Sequence, residues 1–220
     1  MAQVFSPAAD TWLRLTVLAA ALVLLTLLLG GWDFIDSSYR TQVGWVTDQT
    51  VPFSHKHHVT DAGIDCRYCH TGVETSARAG LPSTHICMTC HSQLWTGADM
   101  LAPVRASLAT GRPLVWNRVA QLPDYVYFDH SIHVSRGVAC VECHGRVDRM
   151  PLTARARPFQ MQFCLDCHRD PAPHLRPLQL VTRMAPLDWS DAEKRRYGGR
   201  VMRAHRIDPA TLDNCGICHR

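Results

Sequence analysis

CRYCH (Cys66–His70), CMTCH (Cys87–His91), CVECH (Cys140–His144), CLDCH (Cys164–His168) and CGICH (Cys215–His219) are five copies of one pattern, and they use all ten cysteines of this 220-residue chain. Cys-x-x-Cys-His is the attachment pattern of c-type haem. Two thiols about one helical turn apart can each add to a vinyl group, and the following histidine turns its imidazole onto the iron. The pattern predicts five covalent haem c groups. They are attached through Cys66 and Cys69, Cys87 and Cys90, Cys140 and Cys143, Cys164 and Cys167, and Cys215 and Cys218. His70, His91, His144, His168 and His219 are then the proximal iron ligands.

Other uses of Cys-x-x-Cys fit poorly. Zinc sites need such pairs to converge two at a time, so an odd number strands one. Neither zinc nor thiol exchange requires a histidine after every pair. A disulfide across so short a loop is strained and leaves the histidines unexplained. With no cysteine left over, the chain has no thiolate for an iron–sulfur cluster.

Five macrocycles dictate the architecture. Outside a membrane segment about 36 residues remain per haem, too few for an ordinary aliphatic core. The haem faces must serve as core, wrapped by short helices and long irregular connections with few strands. Folding should depend on the haem, as it depends on metal in small metal-binding domains. The formal charge of +4 is misleading alone. With both propionates ionised on each haem, it becomes about −1 for ferric and about −6 for ferrous iron. Lys56 and Lys194 are the only lysines, and arginine suits propionates because its planar fork binds carboxylates bidentately. Nucleic-acid binding is not expected.

Leu15 to Trp32 (LTVLAAALVLLTLLLGGW) is uncharged and bounded by Arg14 and Asp33. Its length suits a bilayer, with Trp12 and Trp32 at interfacial positions. Ser6-Pro7 followed by Asp10 reads as a helix start. A signal peptide is the competing reading, but Gly30-Gly31-Trp32 fits a cleavage site poorly. The expectation is a retained single-pass anchor. Haem c is attached outside the cytoplasm, so the region after the anchor is expected on the periplasmic or outer face of the inner membrane. That face also tolerates abundant cysteine.

The rest contains a duplication. Phe53-Ser-His55-Lys-His-His58-Val precedes the first two motifs, and Phe128-Asp-His130-Ser-Ile-His133-Val precedes the next two. The expected organisation is 1–11 cytoplasmic tail, 12–34 anchor, 35–52 linker, 53–91 first two-haem module, 92–127 connector, 128–168 second two-haem module and 169–220 C-terminal segment with the fifth haem. Ala102 to Ala109 in the connector reads as a short helix, with Pro103 in its first turn and Gly111 just beyond.

Histidines i and i+3 share a helix face yet diverge enough to reach two irons. His55, His58, His130 and His133 are therefore the candidate distal ligands. His57 reads as a solvated neighbour, and His85, His174 and His205 as weaker candidates. Four distal histidines leave one iron short. Met161 is the preferred thioether, ahead of Met150 and Met184, and a five-coordinate fifth iron is the alternative. Nothing in the chain is expected to be catalytic: no lysine follows a cysteine pair, as it does at the catalytic haem of pentahaem nitrite reductases.

Four stretches carry a resemblance: FSHKHHVTDAGIDCRYCHTG (53–72), LPSTHICMTCHSQ (81–93), GRPLVWNRVAQLPDYVYFDHSIHV (111–134) and FCLDCHRDP (163–171). They resemble the membrane-anchored pentahaem cytochrome subunit of bacterial alternative complex III. The F-x-H-x-x-H frames are shared more widely with class III-like multihaem cytochromes. The resemblance implies a mostly α fold with extensive irregular loops and one N-terminal transmembrane helix. It implies an electron-transfer subunit of a quinol oxidoreductase. Its partners would be an iron–sulfur, molybdopterin-enzyme-like subunit, polytopic quinol-binding membrane subunits, and a monohaem cytochrome c or terminal oxidase as acceptor. It places distal histidines where His55, His58, His130 and His133 stand. The region from Trp189 to Asn214 departs most. A stand-alone membrane-anchored multihaem quinol dehydrogenase is the alternative.

Overall fold

The computed structural model describes residues 6–219, so residues 1–5 of the expected tail lie outside the described residues. The chain divides into two compact units at Gln42 and Val43.

The first unit holds α1 (Pro7–Asp36) and the short α2 (Ser38–Thr41). Ser6 caps α1 by accepting from the Ala9 amide, with proline in the first turn. This is the start that Ser6-Pro7 predicts, because proline has no amide to leave unsatisfied there. At 1.5 Å per residue the helix is about 45 Å long, more than a hydrocarbon core requires. Mean hydropathy over its most apolar window is 2.3. It is therefore long and apolar enough to cross a membrane.

The second unit is a string of short helices. In chain order they are α3 (Cys66–Cys69), α4 (Thr84–His91), α5 (Ala102–Thr110), α6 (His130–Ser135), α7 (Cys140–His144), α8 (Met161–Arg169), α9 (Asp191–His205), α10 (Pro209–Leu212) and α11 (Cys215–Cys218). α5 spans the predicted stretch and ends on Gly111 at φ 66°, the left-handed cap that glycine adopts without strain. Among the described residues there is no strand, only isolated bridges such as Val126 with His219.

Polypeptide contributes little to the core. Val51, Leu101 and Val104 form one small buried cluster, against which Cys87, Met88, Leu114 and Trp116 pack. Val134, Ala139, Leu175, Val181 and Met184 are the other buried apolar residues described. So small a set cannot offset the chain entropy of a unit this size.

The duplicated segments differ in one instructive way. His130 and His133 sit on the α-helical α6, whereas Lys56–Asp61 forms a π-helix in which the Ala62 amide donates to the His57 carbonyl. Eight positions separate His58 from Cys66, but seven separate His133 from Cys140. A π turn accommodates one extra residue without ending the helix. It therefore absorbs the insertion and keeps the two copies in step.

The copies brace each other reciprocally. In the first, the Lys56 amide donates to the Met150 carbonyl at 3.1 Å. In the second, the His130 and Ser131 amides donate to the Ala77 and Ser76 carbonyls, each at 3.2 Å. Each histidine-bearing turn thus docks on a loop belonging to the other copy.

Candidate functional site

Every Cys-x-x-Cys pair lies on a helix or helical turn: α3, the C-terminal half of α4, α7, the C-terminal half of α8, and α11. That geometry puts both thiols on one side about a turn apart. All ten cysteines are free thiols. Burial pushes Cys143 up to about 12 and Cys167 up to about 11, whereas the neighbouring Cys66 side chain lowers Cys140. Among the described residues no three His, Cys, Asp or Glu side chains converge as a zinc site requires.

The histidines are arranged in facing pairs. His55 faces His70 with ring centroids 6.5 Å apart and planes 10° from parallel. His130 faces His144 at 6.4 Å and 3°. His133 faces His168 at 6.1 Å and 21°. His58 faces His91 at 6.2 Å, but with planes at 64°. An iron held between two imidazoles by bonds of about 2 Å, plus about 1.1 Å from each nitrogen to its ring centre, sets the centroids about 6.3 Å apart. All four pairs have that separation, so these residues fit a six-coordinate haem iron between them. The first histidine of each H-x-x-H meets the first motif of its own copy, and the second meets the second. Spacing alone could not assign this pairing.

The ring nitrogens are set for it. A carbonyl can only accept, so each Nδ1 bonded to one must carry the proton, leaving the Nε2 lone pair free. The Nδ1–H groups of His58, His70, His130, His133 and His168 donate to the carbonyls of Ser54, Gly80, Ala77, Asp129 and Leu212, at 2.8, 2.8, 2.9, 2.7 and 2.8 Å. His91 donates to the Leu94 carbonyl at 3.2 Å. His55 Nδ1 shares a 2.9 Å hydrogen bond with Thr153 Oγ1. Such outer contacts fix the tautomer and ring orientation of a metal-binding histidine. Burial lowers His55 and His144 to about 4, and lowers His58 and His133 as well. These rings are neutral donors at neutral pH.

The phenylalanine of each F-x-H-x-x-H frame has a visible task. Phe53 stacks on His58 at 4.3 Å and meets His55 edge-on at 4.9 Å. Phe128 repeats this with His133 at 4.5 Å and His130 at 4.8 Å. One ring thus holds both imidazoles at their mutual angle.

The remaining histidines are engaged elsewhere or exposed. His57 stacks on Trp95 at 5.2 Å and lies 3.6 Å from Asp61. His174 bonds Glu142 at 3.1 Å beside Arg176. His85 and His205 are exposed. The fifth motif differs: His219 lies beside Tyr125, centroids 5.9 Å apart, and its Nδ1–H donates to the Tyr125 carbonyl at 3.3 Å. Met161 opens α8 and is 66% exposed. The orienting partners Ala77, Gly80, Leu94, Thr153 and Leu212 escaped sequence reading. Most act through a backbone carbonyl, which carries no residue-type signal.

Residues 126–220 match the family described as cytochrome c7 and related cytochrome c. Over 151 residues the chain is 32% identical to the multihaem cytochrome c subunit of menaquinone reductase from Nitratidesulfovibrio vulgaris. The match takes in 68% of this chain and 63% of that protein, so the chain spans less than two thirds of the relative's length. Motif, helix geometry, facing imidazoles and these similarities converge. The chain is a multihaem c-type cytochrome, mostly helical with irregular loops, bearing one N-terminal helix apolar enough to span a membrane.

Proposed function

We propose that the chain binds five haem c groups and serves as the electron-transfer subunit of a membrane quinol oxidoreductase of the alternative complex III type. The observation that carries the reading is the set of four facing imidazole pairs. Haem iron cycling between Fe(III) and Fe(II) supplies one-electron chemistry, with potential tuned by axial ligands, burial and nearby charge.

The residues do the rest. The cysteine pairs anchor each group, and His70, His91, His144, His168 and His219 are its proximal ligands. His55, His58, His130 and His133 close the distal sides of the first four, so those irons exchange electrons without binding substrate. At the fifth site Met161 is the proposed sixth ligand; its helix α8 packs against α10, just before the fifth motif. The modules are residues 53–91 and 128–168, with 92–127 as connector and 169–220 carrying the fifth site. α1 anchors the chain in the inner membrane with the haem region on the periplasmic face. The relative is a subunit of a menaquinone reductase, which supports the presence of partner subunits; those proposed are an iron–sulfur, molybdopterin-enzyme-like subunit and polytopic quinol-binding subunits, with a monohaem cytochrome c or terminal oxidase as acceptor.

The relative's name, a menaquinone reductase, favours a second reading in which electrons run toward the quinone. Purification from native membranes tests both. Five haems per chain by pyridine haemochrome, with co-isolated iron–sulfur and polytopic subunits, is the expected result. Quinol-driven haem reduction supports the first direction, and quinone-driven haem oxidation the second. A lone cytochrome that oxidises quinol unaided would replace both with a stand-alone dehydrogenase.

A further inference from the structure

The sites do not follow one another in space as they do along the chain. Each junction between neighbouring sites is marked by contacts made within or beside the motifs themselves.

The first and second motifs touch through residues inside each. Tyr68 of CRYCH bonds Thr89 of CMTCH, hydroxyl to hydroxyl, at 3.0 Å. The first motif also meets the third. One short segment bridges the same junction: Thr182 Oγ1 donates to Asp65 at 2.8 Å, and the Cys140 amide donates to the Val181 carbonyl at 3.0 Å. From the third motif to the fourth run His144, Phe159 and Phe163, with centroids 6.3 and 5.8 Å apart, and Phe163 immediately precedes Cys164. Glu142 inside the third motif also binds His174 and Arg176, which follow the fourth. Between the fourth and fifth, His168 Nδ1–H donates to Leu212 at 2.8 Å and Arg169 pairs with Asp213 at 3.5 Å, just before Cys215.

The second motif meets the connector instead of the third motif. Thr84 bonds Ser107 of α5 at 2.6 Å, and Cys87 and Met88 pack on the Val51–Leu101–Val104 cluster. Its far side is taken by the connector. The fifth motif also has an open side, with Cys215 exposed.

We propose that the five sites form a single file in the order Cys87–His91, Cys66–His70, Cys140–His144, Cys164–His168, Cys215–His219. The first copy is thus traversed backwards, and the ends of the file are the second and fifth motifs. The inference rests on the five-haem reading above. Its physical origin is the reciprocal docking of the two copies, which sets their first motifs face to face and turns their second motifs outward.

The test uses the ferric, full-length holoprotein in detergent and a magnetic readout. Removing a distal histidine turns that iron high-spin, and its larger moment broadens the low-spin signals of neighbours steeply with distance. Each of the variants His55→Ala, His58→Ala, His130→Ala and His133→Ala deletes one low-spin signal and so assigns it. The expected result is that His55→Ala broadens the signals of both the second and third sites, whereas His58→Ala broadens only that of the first. The reverse, with His58→Ala broadening the third site and His55→Ala leaving it sharp, overturns the order. A single-particle map of the unsubstituted holoprotein decides independently: the first haem between the second and third supports the file, and contact between second and third refutes it. If no variant becomes high-spin, the distal-ligand assignment fails while the map still decides the order.

Discussion

His57 and His58 are adjacent in the chain, yet the structure gives them opposite weight, which makes their separate removal a demanding experiment. His58 faces His91 at 6.2 Å, stacks on Phe53 at 4.3 Å and donates its Nδ1–H to Ser54 at 2.8 Å. His57 stacks on Trp95 and its side chain is 47% exposed. On the five-haem proposal, replacing His58 by alanine should open one iron of the five, so about one fifth of the low-spin ferric signal is lost. The ferrous protein should gain the capacity to bind about one carbon monoxide per chain. The lost hydrogen bond and ring stacking add a stability cost of about 2 kcal/mol, beyond the lost iron bond. His57→Ala should leave the spin state and carbon monoxide binding unchanged and shift stability by no more than about 0.5 kcal/mol. Quantified EPR of the ferric protein and carbon monoxide difference spectra of the reduced protein report both. If His58→Ala stays fully low-spin and inert to carbon monoxide, or His57→Ala behaves like it, the pairing logic is wrong for all four sites.

The 64° angle between His58 and His91, against 3° to 21° in the other three pairs, should appear spectroscopically. Crossed imidazole planes leave two iron d orbitals nearly degenerate, so this site should show a far more anisotropic low-spin EPR signal, and His58→Ala should abolish that signal alone. Gly198 of α9 packs so closely on the Ala172 carbonyl that a Cβ has no room; Gly198→Val should cost about 2–4 kcal/mol in thermal unfolding, and an unchanged midpoint would show that α9 is not docked there. Asp148 is buried and pairs with Arg146 at 2.6 Å, which holds its carboxyl below the ordinary range. A depressed carboxylate stabilises above its unfolded pKa and loses that contribution as pH falls through the folded value. Asp148→Asn should therefore cost about 1.5–3 kcal/mol at neutral pH, and the difference should vanish in strong acid; a gap that persists there would exclude the ion pair as its source.

Helix punctuation was legible locally. Ser6 and Pro7 opening α1, and Pro103 and Gly111 bracketing α5, act through the backbone of their own turn, so no distant contact was needed to read them. The π turn at Lys56–Asp61 was present in the sequence only as one extra residue between His58 and Cys66, a difference without meaning until the two copies are seen to hold their histidines alike. Thr153 beside His55, 98 positions away, and Ala77 beneath His130, 53 positions away, could not be read at all. Such contacts depend on where unrelated loops come to rest.

From sequence by itself came the positions of the thiol pairs, the histidine that follows each, the duplication and the apolar N-terminal helix. Attachment needs only five consecutive residues, and hydropathy only one helix, so both are local properties. Tertiary structure decided which imidazole faces which, how each ring is turned, and which motifs are neighbours. Those relations are distances between segments, and they arise only when the two copies dock on each other's loops, Lys56 on Met150 and His130 and Ser131 on Ala77 and Ser76.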